Sequence, residues 1–332
     1  MIDLKLLRAS PGQVRAALAR RGDASLTRLL DEIEALDMKR RTLTAQLDTL
    51  KAERNDAAKS DALAAKAGGL SATVVAERRK LGERITGLEI EQRQIETTLD
   101  AKALLVPNLP LADVPDEQTE LRAWGTPVPK GGKPHWEIAE KLGILDLPRG
   151  AKLSGSGFPV LIGLGARLAR GLINFMLDLH TREHGYIEVE PPLLVRREVM
   201  EGTGQLPKFE DDMYRLSSDD LFLIPTAEVP VTNLHRDEIL DGTTLPKGYV
   251  AYTPCFRREA GAAGKDTRGL LRVHQFDKVE LVRFSSAADS AAEHEKLTGH
   301  AEEVLRRLGL AYRVAVLPAG NEVGLLIPVG QT

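Results

Sequence analysis

The stretch CFRREAGAAGKDTRGLLRVHQFDKVEL, from Cys255 to Leu281, carries the most informative charge pattern in the chain. Two apolar runs flank a small, polar, glycine-rich segment, which is typical of two strands joined by a loop. The pattern predicts that Arg257 and Glu259 share one face of the first strand, and that Arg272 and His274 share a face of the second. A guanidinium-rich face beside a loop suits a polyphosphate, whereas the alternative is a solvated surface hairpin.

Composition limits the class of protein. The chain has 332 residues, 42% hydrophobic and 28% charged, which favours a packed core and leaves room for two domains. Its net charge of -3 gives no global attraction to nucleic acid, so a nucleic-acid site must be a local patch. The single cysteine, Cys255, excludes an intrachain disulfide framework and favours a cytoplasmic location. No apolar run approaches the roughly 18–20 residues of a membrane span, and the first residues do not resemble a secretion signal.

The first hundred residues contain two heptad patterns, whose apolar positions alternate in steps of four and three. The first comprises Leu29, Ile33, Leu36, Arg40, Leu43, Leu47, Leu50, Arg54 and Ala57. The second comprises Val74, Arg78, Leu81, Ile85, Leu88, Gln92, Ile95 and Leu99. Between them, Gly68 and Gly69 can end one helix and Ser71 can cap the next. We therefore predict an antiparallel two-helix hairpin that forms a projecting arm.

The distal half of this predicted arm, residues 51–84, has an excess of cationic side chains. These are Lys51, Arg54, Lys59, Lys66, Arg78, Arg79, Lys80 and Arg84. Such residues are ordinary on the outer face of a coiled coil, but they also form a stripe that suits a phosphate backbone.

The remaining chain predicts an α+β body. Prolines and glycines mark residues 106–134 as a linker, and the body begins near His135. We predict helices over residues 160–184, ended by Gly185, and over residues 287–308. Strand-like runs follow one another without intervening helices, which favours an antiparallel sheet.

Several motifs together resemble those of the class II aminoacyl-tRNA synthetases. The segments FRRE and RVHQF, from Phe256 to Phe276, resemble motif 2 of that class, and HGYIEVEPPLL, with Pro192, resembles motif 1. The segment IPTAEVPVTNLH, residues 224–235, resembles the Thr-x-Glu loop of the seryl-tRNA synthetases, which also carry an N-terminal coiled coil. The resemblance implies a class II antiparallel sheet flanked by helices, with the arm in residues 1–105, a partial catalytic domain in residues 135–316 and an unmatched tail in residues 317–332.

The resemblance also implies roles for individual residues. Thr226, Ala227, Glu228 and Glu280 would bind L-serine. Arg257, Arg258, Glu259, Arg272 and Phe276 would bind ATP, with Arg257 on the α-phosphate and the substrate carboxylate, Arg272 on the β- and γ-phosphates and Phe276 against adenine. Arg257 and Arg272 would be the catalytic residues, because they place positive charge where phosphate charge shifts. Magnesium would bridge the phosphates.

The partners implied by the resemblance are L-serine, ATP and serine tRNA, tRNA(Ser), which the arm would bind. A homodimer would form through the motif 1 region. The implied reaction is activation of L-serine to seryl-adenylate, followed by transfer to the tRNA.

Three alternatives remain open from the sequence. The chain could be a non-catalytic tRNA-binding fragment or paralogue, or a class II-like ligase that loads a carrier protein, although such relatives typically lack a long arm. The segment HTREH, His180 to His184, fits an inverted zinc-protease signature. Both histidines fall in the predicted last turn of a helix, where they would cap carbonyl groups or face solvent, and no further ligand is evident. We interpret Cys255 as a small buried apolar residue rather than a reactive thiol.

The family's third motif and its Glu-x-Ser-Ser segment have no counterpart before Thr332, and truncation or a frameshift is our interpretation. We therefore expect impaired activation of serine. We also expect low stability or aggregation, because the strands would leave an edge and apolar surface uncovered.

Overall fold

The computed structural model describes residues 2–67, 69, 71–129, 131–260, 269–320 and 326–328, with the backbone alone described for 62–67 and 326–328. The described residues form two compact units. One unit consists of the described residues within 1–119 and 316–324, and the other consists of those within 120–315 and 325–332. Within the described part of the chain, no helix combines the length and the apolar character needed to cross a membrane.

The first unit is helical. Its helices are α1 (Leu4–Ala9), α2 (Pro11–Ala19), α3 (Ser25–Ala67) and α4 (Ala72–Leu105). The Ser71 hydroxyl accepts a hydrogen bond from the Val74 N–H, so the predicted cap of the second long helix is confirmed. At the base, residues from α1 and α2 pack with Leu30, Ile33 and Leu99 in one apolar cluster. Burial of this cluster ties the short helices to the hairpin.

The long helices α3 and α4 pack side by side, and the heptad prediction is largely confirmed. Leu47, Leu50 and Ile85 form a buried cluster along the hairpin. The prediction is wrong at the base of α3, where Leu30 and Asp37 are buried while Leu29 and Leu36 are only partly buried. The packing of α1 and α2 explains this difference. These helices cover a side of α3 that would be exposed if α3 packed against α4 alone.

The second unit has mixed secondary structure. Its helices are α5 (His135–Lys141), α6 (Leu147–Ser154), α7 (Leu164–Arg182), α8 (Arg197–Gly202), α9 (Glu228–Thr232) and α10 (Ser290–Arg307). The strands are β1 (Thr119–Trp124), β2 (Leu145–Asp146), β3 (Val160–Leu161), β4 (Ile187–Glu188), β5 (Leu194–Arg196), β6 (Arg215–Leu216), β7 (Leu221–Leu223), β8 (Lys247–Phe256), β9 (Gln275–Phe284), β10 (Tyr312–Val316) and β11 (Leu326–Pro328). The predicted α+β class is confirmed.

The strands form four small sheets in the described part of the chain. Their orders are β1-β10-β11, β2-β3, β4-β8-β9 and β5-β7-β6. Most of the pairs are antiparallel, as predicted, but β4 runs parallel to β8. The prolines at 191 and 192 separate β4 from β5, as the sequence predicted, because proline has no N–H for a sheet ladder.

The predicted ends of two helices need small corrections. The helix predicted over residues 160–184 is α7, which begins at Leu164 because Val160 and Leu161 pair with β2 instead. Gly185 follows this helix with a φ of 73°, so its predicted role as the stop is confirmed. The helix predicted over residues 287–308 is α10.

The strands β8 and β9 form a hairpin from Lys247↔Phe284 to Phe256↔Gln275. The sequence prediction that Arg257, Glu259, Arg272 and His274 lie on strand faces is wrong, because all four residues lie just beyond the strand ends. The Arg258 N–H donates to the Asp212 carbonyl at 2.8 Å, and Glu259 has a φ of 52°. These features turn the chain away from the ladder.

Candidate active site

Three of the predicted serine-binding residues meet at one point of the second unit. The chain leaves β7, turns at Thr226 and enters α9 at Glu228, while Glu280 lies on β9. The buried Thr226 hydroxyl donates to Glu280 Oε2 at 2.5 Å. The Glu228 N–H donates to the same carboxylate oxygen at 3.0 Å. Ala227, the N-cap of α9, is fully buried, so its side chain packs in the core beneath this cluster.

Lys278 completes this cluster, and the motif comparison missed it. Its Nζ donates to Thr226 Oγ1 at 2.6 Å and to Glu280 Oε1 at 3.0 Å. Lys278 and Glu280 are two residues apart on β9, so their side chains point to the same face of the sheet. Once Glu280 was predicted to bind serine, the alternation of side chains along the strand could also have predicted Lys278 at the site.

Glu228 brings a second carboxyl group to the cluster. Partial desolvation by the surrounding protein raises the pKa of Glu228, and the nearby charge of Glu280 raises it further. Lys278 and Arg257 oppose this effect by favouring the ionised form of Glu228. The site thus places two carboxyl groups and two cations around the Thr226 hydroxyl.

Arg257 links this cluster to the hairpin turn. Its Nε donates to the Pro225 carbonyl at 3.3 Å, next to Thr226. Its guanidinium lies 5.2 Å from the centre of the Phe276 ring, a distance at which a cation and a ring face attract each other. The structure therefore brings Arg257 and Phe276 together at the side of the Thr226 cluster.

The other predicted nucleotide-binding residues lie farther along the turn. Arg272 forms an ion pair with Glu259, with Nη1 to Oε2 at 3.1 Å. The Arg258 side chain is exposed. The segment between Ala260 and Gly269, which the sequence predicted to be a closing loop, falls outside the described residues.

Asp212 and His274 hold the turn, and both were missed as positioning residues. Asp212 accepts from the Arg258 N–H through its carbonyl and from the Ala260 N–H through Oδ1 at 2.7 Å. His274 accepts the Arg257 N–H at 3.0 Å through its carbonyl, and its Nδ1 lies 3.0 Å from the Arg257 carbonyl. No local pattern reveals Asp212, because its partners lie far away in sequence.

A separate apolar cavity of about 480 Å³ lies between α6, α7 and the beginning of β9. Phe276 lines this cavity together with Phe158, Leu172, Met176 and Val273. Thr226, Glu228 and Glu280 are absent from its lining. Phe276 therefore lines the apolar cavity and also lies near the Arg257 guanidinium.

The histidines of the HTREH segment form a cluster of rings. His180 is buried, with 3% of its surface exposed, and its Nδ1 lies 2.9 Å from His184 Nδ1. The prediction that this histidine caps a carbonyl group or faces solvent is therefore wrong. Among the residues that the structure describes, no group of three or more His, Cys, Asp or Glu side chains is arranged to hold a metal ion.

Cys255 is fully buried on β8, which confirms the interpretation of a small buried residue. Burial raises the pKa of its thiol, which disfavours the reactive thiolate.

Comparison with known families defines the class of this protein. Residues 208–323 match the tRNA synthetase class II core domain (G, H, P, S and T), and residues 1–110 match the seryl-tRNA synthetase N-terminal domain. The second unit therefore carries the core of a class II aminoacyl-tRNA synthetase.

Individual relatives narrow the assignment. The chain is 52% identical to the serine--tRNA ligase of Gemmatimonas aurantiaca over 328 residues, which cover 97% of this chain and 77% of the relative. It is also 52% identical to the serine--tRNA ligase of Geobacter sulfurreducens over 330 residues, with the same coverage of both chains. The chain belongs to the seryl-tRNA synthetase family, a family of ligases.

Solved structures agree with this assignment. The seryl-tRNA synthetase of Pyrococcus horikoshii complexed with ATP matches with a TM-score of 0.89 and 36% identity, over 97% of this chain and 78% of that one. The cytoplasmic serine-tRNA ligase of Naegleria fowleri in complex with AMP matches with a TM-score of 0.81 and 28% identity, over 96% and 76% of the two chains. The predicted family is confirmed, in preference to a carrier-protein ligase or a zinc hydrolase.

Proposed function

We propose that this chain activates L-serine with ATP to form seryl-adenylate and transfers the seryl group to the 3′ end of tRNA(Ser). The observation that carries the proposal is the cluster of Thr226, Glu228 and Glu280 beside Arg257. An amino acid needs acceptors for its ammonium group and a cation for its carboxylate. This cluster offers both within one partly buried site.

In this proposal the serine ammonium binds to Thr226 Oγ1 and to the carboxylates of Glu228 and Glu280. The Thr226 hydroxyl is held in place by its hydrogen bond to Glu280, so the acceptors are oriented before the substrate arrives. Preorganised acceptors of this kind lower the entropic cost of placing the substrate.

ATP would lie along the hairpin turn. Arg257 would contact the α-phosphate and the serine carboxylate, Arg258 and Glu259 would hold the nucleotide, and Arg272 would bind the β- and γ-phosphates. Phe276 would stack on adenine, with its ring next to the Arg257 guanidinium. The ion pair between Arg272 and Glu259 keeps Arg272 near the turn and would be exchanged for phosphate oxygens.

The proposed chemistry needs positioning and charge more than covalent participation of side chains. A serine carboxylate oxygen attacks the α-phosphorus of ATP. The bond between the α-phosphorus and the oxygen that links it to the β-phosphate breaks, and pyrophosphate leaves. A hydroxyl of the terminal tRNA ribose then attacks the seryl carbonyl, and AMP leaves. Arg257 would stabilise the charge that develops on the α-phosphate during the first step. Magnesium would neutralise part of the charge on the phosphates.

The same proposal assigns the remaining partners. The helical hairpin α3–α4 would bind the tRNA by its shape and backbone, as proteins commonly recognise double-stranded RNA. A homodimer would form through α7 and β4, where Leu164, Leu168 and Ile187 expose 70%, 58% and 59% of their surface. Sedimentation velocity measures this association directly. The cytoplasmic location stays a prediction.

Serine-dependent exchange of labelled pyrophosphate into ATP tests the activity. We expect exchange with L-serine above the level seen with L-alanine or L-threonine. The reduction in rate expected from the sequence stays a prediction, which the same assay measures. Retarded migration of tRNA(Ser) in a gel without any serine-dependent exchange would contradict the proposal and favour the non-catalytic tRNA-binding alternative.

A further inference from the structure

The ammonium group of Lys278 contacts the same oxygens that the proposed function gives to the ammonium group of serine. Nζ lies 2.6 Å from Thr226 Oγ1 and 3.0 Å from Glu280 Oε1. An amino-acid ammonium and a lysine ammonium offer the same charge and the same three donors. The two oxygens that accept from the Lys278 ammonium are therefore the same oxygens that would accept from the serine ammonium.

We propose that Lys278 occupies the ammonium subsite of this protein in the absence of substrate, and that serine binds by displacing it. This inference rests on the proposed function, because it takes Thr226 and Glu280 as the acceptors of the serine ammonium. It assigns to Lys278 the role of an internal competitor that lowers the affinity for any amine at this subsite.

Repulsion between two ammonium groups favours displacement over simultaneous binding. Lys278 Nζ already contacts Thr226 Oγ1 and Glu280 Oε1. A substrate ammonium on the same two oxygens would lie close to Nζ, and like charges at such short range repel each other. If the Lys278 ammonium leaves as the substrate ammonium enters, this repulsion is avoided.

The position of Lys278 permits this exchange. Its side chain is 30% exposed, whereas that of Glu280 is 18% exposed. The lysine side chain has four rotatable carbon links, so its ammonium can move into solvent while the backbone stays in the β8–β9 ladder. Glu280 stays in place because Thr226 Oγ1 and the Glu228 N–H both donate to it.

The exchange affects every amine that binds at this subsite. Replacing one ammonium by another yields little net free energy, so a simple amine is stabilised very little on binding. L-Serine is stabilised further, because its carboxylate meets Arg257. Lys278 would lower the affinity for both amines by the same factor. Ethanolamine shares the ammonium and hydroxyl groups of serine but lacks the carboxylate, so it would have no contact with Arg257 to offset this loss.

The test compares the unaltered chain with Lys278→Met by isothermal titration calorimetry. We expect ethanolamine to bind the variant at least about tenfold more tightly than the unaltered chain, because the vacated carboxylates accept it without competition. L-Serine should bind more tightly by about the same factor, because it displaces the same lysine ammonium. Lys278→Arg, which keeps a cation at the site, should retain the lower affinity for ethanolamine. Lys51→Met removes another lysine–glutamate pair, 2.8 Å from Glu89 in the hairpin, and should change neither affinity.

A second measurement uses the unsubstituted chain and is independent of how Lys278→Met folds. Lysines are reductively methylated with a ¹³C label, and the Lys278 signal is assigned by its disappearance in Lys278→Arg. Saturating serine should shift that signal, because the ammonium leaves its carboxylate partner. An unmoved signal would overturn the inference, as would weaker serine binding by a folded Lys278→Met. Absence of serine binding in the unaltered chain would overturn the proposed function itself, and this inference with it.

Discussion

At the scale of single residues, Gly157 supports the turn that presents Arg257. Gly157 has a φ of 81°, and a Cβ at this position would lie 2.4 Å from the His274 ring. The Gly157 carbonyl accepts the His274 N–H at 2.9 Å, and His274 in turn contacts the backbone of Arg257. A residue without a side chain is therefore required for His274 to hold the turn.

Gly157→Ala should disturb this arrangement in two ways. The substituted residue would be strained at a positive φ, and its methyl group would displace the His274 ring. We expect a loss of about 1–3 kcal/mol in the free energy of unfolding, measured by urea denaturation. Serine-dependent exchange should fall as well, because the support of Arg257 is disturbed.

Gly171→Ala provides a matched control. Gly171 lies within α7, and a Cβ there would meet nothing within 4 Å. This change should stabilise the protein by up to about 1 kcal/mol, because alanine favours helix more than glycine. Equal losses of stability in the two variants would contradict the role given to the conformation of Gly157.

At the scale of elements, three histidines join α7 to α10. His184 lies between His180, 2.9 Å away through the Nδ1 atoms, and His300, whose ring stacks on it at 4.0 Å. The Tyr186 hydroxyl lies 3.0 Å from His300 Nδ1. Charged groups that influence the cluster are Glu183, Arg283, Glu293, Lys296, Glu303 and Arg307. Three rings at such short distances favour neutral imidazoles, because adjacent positive charges would repel.

This junction should become weaker in acid. Burial, and then the neighbouring histidines, lower the pKa of His180 from 6.5 to about 4. Burial, and then His184, lower the pKa of His300 from 6.5 to about 4. Between pH 6.5 and 4 the unfolded chain therefore binds protons that the folded cluster does not, so stability is present above pH 6.5 and is lost as the pH falls.

Thermal melting between pH 7 and pH 4.5 measures this effect. His300→Phe retains an aromatic ring beside His184, and its melting temperature should fall less over this range than that of the unaltered chain. His294→Phe, at an exposed position of α10, should show the unaltered dependence. If the melting temperatures of His300→Phe and of the unaltered chain fall by the same amount over this range, the histidine cluster is not the source of the loss of stability in acid.

At the scale of the whole molecule, a net charge of -3 coexists with a local cationic surface on the helical hairpin. The structure distinguishes two groups of cations there. Lys59 pairs with Asp56 and Arg79 pairs with Glu83, both at 2.9 Å. Lys80 and Arg84 are exposed and form no ion pair with the residues that the structure describes.

Binding of tRNA should depend more on Lys80 and Arg84 than on the paired cations. A paired cation must exchange its carboxylate for a phosphate, whereas Lys80 and Arg84 need no such exchange. Lys80→Gln with Arg84→Gln should weaken binding of tRNA(Ser) and reduce the slope of log K against log salt by about 0.7–0.9 for each phosphate that is no longer neutralised. The measurement is a filter-binding titration at several salt concentrations.

Lys59→Gln with Arg79→Gln changes the net charge equally and serves as the control. Its slope should change less than that of the Lys80 and Arg84 variant. Identical slopes for the two double variants would show that total charge, rather than the pairing seen on the hairpin, governs the attraction.

Features that depend on local periodicity and residue type could be predicted from the sequence alone. Heptad spacing fixed the two long helices, Ser71 fixed a helix start, and Gly185 fixed a helix end. The motifs around Thr226 and Arg257 also singled out residues that the fold brings together. These features are local because a helix or a cap depends on neighbours within a few positions.

Features that join distant segments could be seen only in the folded chain. Lys278 reaches Thr226 across 52 positions, and Asp212 reaches Ala260 across 48. His180 is a buried neighbour of His184 and Tyr186, and His300 of α10 contacts the rings of these two neighbours. Strand β8 ends before Arg257, and the Arg258 N–H donates to the Asp212 carbonyl instead of continuing the ladder. Alternation of residues along the chain cannot reveal this partner. A hydrogen bond depends on distance in space, and separation in sequence does not specify that distance.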